Sequence, residues 1–504
     1  MRPVGQDPRW EVFAGLHAFL KETFPLVHAR LNVTTVNTYN LVMHWQGNDL
    51  SRKPVLIIGH QDVVPVDPAT LHQWEHPPYS GHYDGTWLWG RGSCDDKGDV
   101  ISTLLAMESL LEEGFQPERT IVLAFGIDEE SSGKEGADKI YTYLNARYGR
   151  DSFAVLLDEG SGYGSQFGED TIFVVPSTSE KGYLDALVEV TTPGGSSAIP
   201  PPHTVCMSSL SSSNTLPLTW TGFPSTTKAI GILSSSIVAL ESHPHAPQLH
   251  RTNTAFTTIQ CTTAHDPRIP QTLRDLAHAA LTSDSALEQL KHAMIEFDPT
   301  MYGAMLRTTQ AVDLVGGGVR ANALPERAWA VVNLRIAEHS SVREVQEHLV
   351  KTLQPVAERF GLEFKAFGKN LSVPVLEGNA PGRKDEKGGM LRISDAFGTA
   401  LEPSPPTPLD GEPYKLLAGT VKATLRESKR HQQKNVIVSP VVENGNTDTR
   451  AYWNLTRHIF RYTHLGDEDM YNGLHTVNEA VRVDALLESI QFLTMFILNW
   501  DEAD

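Results

Sequence analysis

The stretch Pro54-Val55-Leu56-Ile57-Ile58-Gly59, followed directly by His60-Gln61-Asp62, decides the fold class of this chain. An apolar run of this length is typical of a strand that is buried on both faces of a parallel sheet. In open α/β sheets, the residues that bind ligands follow the carboxyl ends of such strands. The stretch therefore predicts an α/β fold with His60 at one edge of a buried sheet.

Two further apolar runs, 120–126 and 153–157, also predict buried strands. The first leads into Asp128-Glu129-Glu130, and the second leads into Asp158-Glu159. Because the ends of parallel strands meet at one edge, we expect these acids to lie near His60. One imidazole with several carboxylates suits a divalent metal, and a carboxylate that does not bind it can act as a base. An acidic loop exposed to water would explain the triplet without any function.

The nonapeptide Gly90-Arg91-Gly92-Ser93-Cys94-Asp95-Asp96-Lys97-Gly98 precedes a helix that we predict over 99–113. An aspartate in this position can simply cap the helix, since Asp is a favoured N-cap residue. The complete motif favours a further role. The order H-x-D, then G-R-G-x-x-D-D-K-G, then D-E-E resembles the M20 family of co-catalytic zinc peptidases, and the flanking residues resemble its fungal carboxypeptidase S branch.

The resemblance implies two Zn²⁺ ions per subunit. The first would be bound by His60, Asp95 and Asp158, and the second by Asp95, Glu130 and His475. Asp95 would bridge the ions, and a shared anion would offset their repulsion. Relatives use a carboxylate at the Asp158-Glu159 position, and we expect Asp158 rather than Glu159. His475 lies in Gly473-Leu474-His475-Thr476-Val477-Asn478-Glu479, which resembles the family's H-x-x-N-E motif and which we expect to open a terminal helix over 483–500.

The same resemblance implies two catalytic residues, Asp62 and Glu129. Asp62 would hold the His60 ring and fix its tautomer. Glu129 would act as the general base beside the metal-activated water.

The resemblance also implies residues that contact the substrate. Asn322, Arg335 and Arg450 match positions that bind the substrate's terminal carboxylate or lie in the pocket, and arginine suits a carboxylate through paired hydrogen bonds. One position departs from the family pattern. Ser196 stands where relatives carry a histidine that stabilises the oxyanion, and losing one such donor costs roughly 100- to 1000-fold in rate.

Three functions remain open. The resemblance favours a zinc carboxypeptidase that hydrolyses the C-terminal peptide bond of small peptides. A second reading is an N-acyl amino acid hydrolase or synthase of the same family. The third is a catalytically impaired paralogue that keeps its metal, and Ser196 is its main support.

The chain is long enough for two domains. We predict a mostly parallel α/β catalytic domain over 1–182 and 371–504, with an α+β lid inserted over 183–370. Strands that alternate in polarity and a helix predicted over 341–360 define the lid. Within it, the Ser/Thr-rich segment 205–229 has no periodicity, and it is either a translated intron or a surface loop. Relatives form dimers through the lid, so a homodimer is expected.

Composition limits the partners. The 504 residues carry 42 basic and 61 acidic side chains, a net charge of −19 that argues against nucleic-acid binding. Three cysteines do not make a disulfide framework. No apolar run is long enough to cross a membrane. Relatives carry an N-terminal membrane anchor that we do not find here, and the resemblance implies the vacuole lumen or the secretory pathway.

Overall fold

The computed structural model describes residues 3–165, 170–198, 228–371 and 389–503, which form two compact units. The larger unit contains the residues up to Glu180, His250–Leu290 and the residues from Ser404. The smaller unit contains Lys181–Leu249 and Lys291–Pro403.

The larger unit is built on an eight-stranded sheet, which confirms the predicted α/β class. Its central strand, Val55–His60, is buried throughout. That strand pairs in parallel with Ile121–Gly126 on one side and with Val155–Asp158 on the other. The strands lie in the spatial order Asn32–Val36, Asn40–Trp45, Ile121–Gly126, Val55–His60, Val155–Asp158, Ile459–Arg461, Ser177–Glu180 and Val441–Glu443.

Both faces of this sheet carry core. Val55 and Ile57 belong to one apolar cluster, whereas Leu56 and Ile58 belong to another. This division follows from the alternation of side chains along a strand. The central strand is therefore an unbroken apolar run, as the sequence predicted.

The helices predicted over 99–113, 341–360 and 483–500 are present as Lys97–Glu112, Val342–Phe360 and Val483–Glu502. Near the start of the chain, a helical segment divides at Phe24, because Pro25 has no N–H group and restricts the residue before it. The α-helices are Val12–Thr23, Pro25–Arg30, Lys97–Glu112, Ala137–Tyr148, Ala229–Glu241, Thr254–His265, Gln271–Ala279, Asp284–Phe297, Met301–Met305, Val342–Phe360, Glu412–Glu427 and Val483–Glu502. Short 3-10 helices span Pro8–Glu11, Pro68–Gln73, Glu129–Ser131, Asp448–Ala451 and Asp467–Asp469.

The smaller unit contains a six-stranded, mostly antiparallel sheet. Along Gly182–Thr191 buried and half-buried residues alternate strictly, as they do in a strand with one face on a core. The Ala229–Glu241 and Val342–Phe360 helices supply the rest of that core. The strands lie in the order Thr309–Gly317, Arg327–Ile336, Gly182–Thr191, Met390–Asp395, Glu363–Ala366 and Lys369–Leu371.

The predicted lid boundaries need two corrections. The return to the larger unit comes at 404 rather than 371, because Met390–Asp395 pairs with strands of the smaller unit's sheet. The chain also visits the larger unit over His250–Leu290, which the sequence analysis assigned to the lid. Apart from its last two residues, the segment 205–229 lies outside the described residues.

The described residues also form three small sheets. They are Gly195–Ser196 with Ala323–Leu324; Asn435–Val438 with Thr171–Val174 and Tyr163–Gly164; and Ala480–Arg482 with Trp87–Trp89 and His82–Tyr83. Among the residues that the structure describes, no helix has the length and apolar character needed to span a membrane.

Candidate metal centre

The predicted ligands of the larger unit meet at one edge of its sheet. His60 is the last residue of its strand and lies in register with Gly126 on the neighbouring parallel strand. Glu129 and Glu130 follow that neighbour in a 3-10 turn. The shared direction of the strands thus brings the imidazole and the acidic pair together, as the sequence predicted.

Asp95 lies between two histidines. One carboxylate oxygen is 2.9 Å from His60 Nε2, and the other is 2.7 Å from His475 Nε2. Burial opposes ionisation of Asp95, but hydrogen bonds with His475 and His60 hold its pKa well below its usual range. A carboxylate with each oxygen turned to a different imidazole has the geometry of a bridging ligand.

Asp62 organises the surroundings of His60. One Asp62 oxygen lies 3.4 Å from His60 Nδ1. The same carboxylate accepts hydrogen bonds from the backbone N–H groups of Glu129, at 3.1 Å, and Glu130, at 3.2 Å. His60 Nδ1 also lies 3.1 Å from the Asp62 carbonyl oxygen, so Asp62 contacts the ring through both groups while its carboxylate holds the turn that presents both glutamates.

The structure brings Glu159, and not Asp158, to the predicted ligand position. Glu159 Oε1 lies 3.4 Å from His60 Nε2. The Asp158 side chain instead hydrogen-bonds Thr447, and burial raises its pKa to about 7. Adjacent residues at the end of a strand point to opposite sides, so only one of the two acids can face the histidine. The expectation of Asp158 is corrected on this point.

His475 joins the cluster from a turn rather than from a helix. Its φ of +60° is left-handed, and the terminal helix begins at Val483, after the short Ala480–Arg482 strand. The expectation that His475 opens this helix is therefore wrong. Its Nε2 lies 3.2 Å from Glu130 Oε1, and its side chain keeps 51% of its exposure.

In the part of the chain that the structure describes, three groups of histidine, aspartate and glutamate residues have donor atoms that lie within 4.8 Å of one another. The groups are His60, Asp95 and Glu159; His60, Glu129 and Glu130; and Asp95, Glu130 and His475. His60, Asp95 and Glu130 each belong to two of these groups.

Buried negative charge makes the cluster fit a cation. Burial raises the pKa of Glu129 and Glu159 well above their usual range, and for Glu129 the nearby Glu159 charge adds to the shift. Carboxylates that are withdrawn from water need a compensating charge. A divalent cation would supply that charge and favour their ionised forms.

Two cations of the chain support the acidic loops from outside the cluster. Lys97 Nζ donates to the Gln61 carbonyl oxygen at 2.6 Å, which ties the loop after Asp95 to the loop after His60. Arg450 donates to the Ser132 carbonyl oxygen and lies 3.6 Å from Asp138. Arg450, predicted to be in the pocket, thus braces the turn that contains Glu129 and Glu130.

The other predicted substrate residues belong to the smaller unit. Arg335 is half-buried on the Arg327–Ile336 strand, with its guanidinium 5.9 Å from the centre of the Tyr183 ring. Asn322 is exposed, next to Ala323, which pairs with Ser196 in a two-stranded ribbon. Ser196 and Asn322 therefore belong to one local structure of the smaller unit.

Glu479, which was not among the predicted site residues, is fully buried against the Asp95 loop. The motif His475-x-x-Asn478-Glu479 contained the signal, but only its histidine was interpreted.

The mostly parallel sheet and the cluster of imidazoles and carboxylates fit a metal-dependent enzyme. Residues 56–499 match the model of peptidase family M20/M25/M40. The chain is 34% identical to carboxypeptidase S of Saccharomyces cerevisiae over 505 residues, which cover 99% of this chain and 81% of that protein. It is 29% identical to an N-fatty-acyl-amino acid synthase/hydrolase of Mus musculus over 492 residues, 96% of this chain and 82% of that protein.

Solved structures agree on the fold. An M20 family metallo-carboxypeptidase from Sulfolobus solfataricus aligns with a TM-score of 0.60 at 16% identity, over 98% of this chain and 94% of that one. Human carnosine dipeptidase 1 aligns with a TM-score of 0.60 at 13% identity, over 99% and 93% of the two chains. The chain belongs to peptidase family M20/M25/M40, and it is a metal-dependent hydrolase of peptide bonds.

Proposed function

We propose that the protein is a zinc-dependent carboxypeptidase that hydrolyses the C-terminal peptide bond of small peptides. The observation that carries the proposal is the Asp95 carboxylate between His60 and His475, at 2.9 and 2.7 Å. Two cations that share one anion need a carboxylate placed in this way. The identity to carboxypeptidase S across nearly the whole chain supports action at the C-terminus.

In the proposed centre, His60, Asp95 and Glu159 bind one zinc ion, and Asp95, Glu130 and His475 bind the other. These sets are two of the groups whose donor atoms lie within 4.8 Å of one another. Imidazole nitrogen and carboxylate oxygen are both zinc ligands, and three protein ligands leave a position for substrate. Bound zinc supplies Lewis-acid polarisation of the scissile carbonyl and lowers the pKa of a water molecule towards neutrality.

Glu129 is the proposed general base. It takes a proton from the attacking water and delivers that proton to the amine that leaves. Its backbone N–H is held by Asp62 at 3.1 Å, so the residue that orients His60 also fixes the base. Asp62 is therefore a positioning residue for both parts of the reaction.

Asn322 and Arg335 are the proposed contacts for the substrate's terminal carboxylate. Arginine binds a carboxylate through two parallel hydrogen bonds, which suits a group that every C-terminus carries. Arg450 acts indirectly in this account, because it braces the Ser132 carbonyl behind the Glu129 turn.

A second candidate is the hydrolysis or synthesis of N-acyl amino acids. The 29% identity to the N-fatty-acyl-amino acid synthase/hydrolase over 96% of the chain favours it, and the same centre would serve an amide bond with a fatty acyl group. An impaired paralogue is a third candidate, and it is favoured by Ser196, which is exposed and lacks an imidazole.

Three substrates separate these candidates: an N-blocked dipeptide, the same dipeptide with an amidated C-terminus, and an N-fatty-acyl amino acid, each supplied with zinc. Carboxypeptidase activity predicts cleavage of the first and at least 100-fold less of the second. Equal cleavage of the free and amidated dipeptides would contradict the proposal. Cleavage of the third substrate alone would establish the N-acyl activity.

We also propose a homodimer that forms through the smaller unit, and a location in the vacuole lumen or the secretory pathway. Exposed apolar residues Leu314 and Val315, on the Thr309–Gly317 edge strand, support the first proposal. Resemblance to relatives alone supports the second. Sedimentation of the purified protein tests the dimer, and fractionation of cells tests the location.

A further inference from the structure

Glu479 is a buried carboxylate that bonds the loop leading to Asp95. Its Oε1 accepts hydrogen bonds from the backbone N–H groups of Gly92, at 2.9 Å, and Cys94, at 3.1 Å. Its Oε2 accepts one from Arg91 Nη1 at 2.5 Å. The Glu479 side chain is fully buried and that of Arg91 is 5% exposed, so water does not compete for these bonds. Three charge-assisted bonds converge on one side chain.

Asn478 and the backbone of Glu479 make further hydrogen bonds on the C-terminal side of the His475 turn. Asn478 Oδ1 accepts the Glu75 N–H at 2.8 Å. The Glu479 carbonyl oxygen accepts the Gly90 N–H at 2.9 Å. Arg91, which Glu479 holds, lies with its guanidinium 5.5 Å from the centre of the Trp74 ring. The residues after His475 are therefore bonded to both the 73–75 and the 90–94 segments.

We propose that Glu479 is a positioning residue for the metal centre, which sets the distance between the Asp95 carboxylate and His475 by bonding their two loops together. The proposal rests on the zinc centre proposed above. Glu479 accepts a hydrogen bond from the N–H group of Cys94, the residue directly before Asp95. His475 lies four residues before Glu479. The pairing of Ala480–Arg482 with Trp87–Trp89 already joins the two segments. The Glu479 side chain extends this bonding to the loop that ends at Asp95, beside the 2.7 Å contact between Asp95 and His475.

The two zinc positions depend on Glu479 to different degrees. One receives two of its three ligands, Asp95 and His475, from the loops that Glu479 joins. The other receives only Asp95 from them, because His60 ends one strand of the main sheet and Glu159 follows another. Loss of Glu479 therefore weakens the position that contains His475 more than the position that contains His60.

The test measures zinc affinity in Glu479→Gln, which keeps the size of the side chain and replaces one acceptor oxygen by an amide that cannot accept from Arg91. Stepwise binding constants come from competition with a chromophoric zinc chelator, starting from metal-free protein. Residues that orient a metal ligand typically contribute about 10- to 100-fold to affinity. We expect the binding constant of the position that contains His475 to fall by that factor, and the other constant to change by less than half of it on a logarithmic scale.

Glu488→Gln is the matched control. Glu488 is also a buried carboxylate, and it accepts hydrogen bonds from Ser428 at 2.6 Å and Arg430 at 3.2 Å, with no contact to the proposed ligands. It should bind both zinc ions as the wild type does. If Glu479→Gln does not fold, Arg91→Lys replaces it, because a lysine keeps the charge but not the planar guanidinium. The expected change then has the same direction and is smaller.

Three results would count against these ideas in different ways. Unchanged affinities in Glu479→Gln, or in a folded Arg91→Lys that replaces it, would overturn the inference and leave the proposed function intact. Equal weakening in Glu479→Gln and Glu488→Gln would also overturn it, since the effect would then follow general destabilisation. A wild-type protein that binds fewer than two zinc ions would overturn the proposed centre, and the inference with it.

Discussion

At the residue scale, the adjacent acids Asp158 and Glu159 contact different parts of the site. Glu159 lies 3.4 Å from His60, while Asp158 turns to Thr447. We predict that Glu159→Gln weakens zinc binding by more than the 10- to 100-fold typical of a residue that only orients a ligand. Asp158→Asn, the neighbouring control, should keep both ions. Metal analysis after dialysis at fixed free zinc checks this, and the opposite pattern would restore Asp158 as the ligand.

Ser196 is the residue at which the chain departs from its family. A hydroxyl is a weaker partner for an oxyanion than an imidazole, and one such donor is worth roughly 100- to 1000-fold in rate. We predict that Ser196→His raises kcat by at least 10-fold and changes KM little. The control is Ser197→His on the next residue. Steady-state kinetics measure kcat and KM for both variants. An equal change of kcat in Ser196→His and Ser197→His would count against the prediction.

Where a motif was present, as for His60, Asp95 and Glu130, the sequence predicted residues that the structure brings together. The choice between Asp158 and Glu159 could not be predicted, because it depends on which side of the sheet the last strand residue faces. Glu479 was not recognised because its function lies in contacts with a loop almost four hundred residues earlier.

At the scale of elements, the Lys97–Glu112 helix carries the Asp95 loop on its N-terminal side. Leu104 is fully buried in the core, and Leu105 is 36% exposed. Truncating a buried leucine removes apolar burial and leaves a cavity, at a cost of about 2 to 5 kcal/mol. We therefore predict that Leu104→Ala lowers the free energy of unfolding by about 2 to 5 kcal/mol. Leu105→Ala should lower it by less than about 1 kcal/mol. Urea unfolding tests the pair, and equal losses would contradict the packing described.

Elements were predictable where polarity had a clear period. The buried central strand and the alternating Gly182–Thr191 strand both follow from their residues. The turn at His475 could not be predicted from the sequence. Nothing in its residues indicated a left-handed backbone, and the same residues could have extended the terminal helix. The division at Pro25 could have been read from the proline alone.

At the scale of the whole molecule, buried neutral histidines make stability depend on pH. Burial, with smaller contributions from His431 and Arg430, lowers the pKa of His464 to about 3. Burial also lowers the pKa of His44 and His431 to about 4. An unfolded histidine titrates near 6.5. Between about pH 6.5 and pH 4 the unfolded chain binds protons that the folded chain does not, so stability falls as pH falls.

The variant His464→Asn isolates one of these groups. The difference in free energy of unfolding between wild type and His464→Asn should shrink as pH drops from 7.5 to 5, with a slope approaching about 1.4 kcal/mol per pH unit below 6.5. His72→Asn, at an exposed position, should show no such trend. Urea titrations at several pH values provide the measurement, and a constant difference for His464→Asn would refute the prediction.

The two-unit organisation was predictable only in outline. The change from fully buried strands to strands of alternating burial indicated where the smaller unit starts. The predicted start was residue 183, and the observed start is Lys181. The sequence did not indicate that His250–Leu290 belongs to the larger unit, or that the smaller unit extends as far as Pro403. The residues of a short helix do not show against which sheet the helix packs. Both units nevertheless follow from alternation and strand ends, which are local properties of the chain.

The measurement that tests the central claim most directly is release of the C-terminal amino acid from an N-blocked dipeptide by metal-free protein, with and without added zinc. We predict release that requires zinc and that Glu129→Ala abolishes. Glu135→Ala, six residues along and outside the proposed centre, should retain it. Release by the metal-free protein, or full activity in Glu129→Ala, would contradict the account.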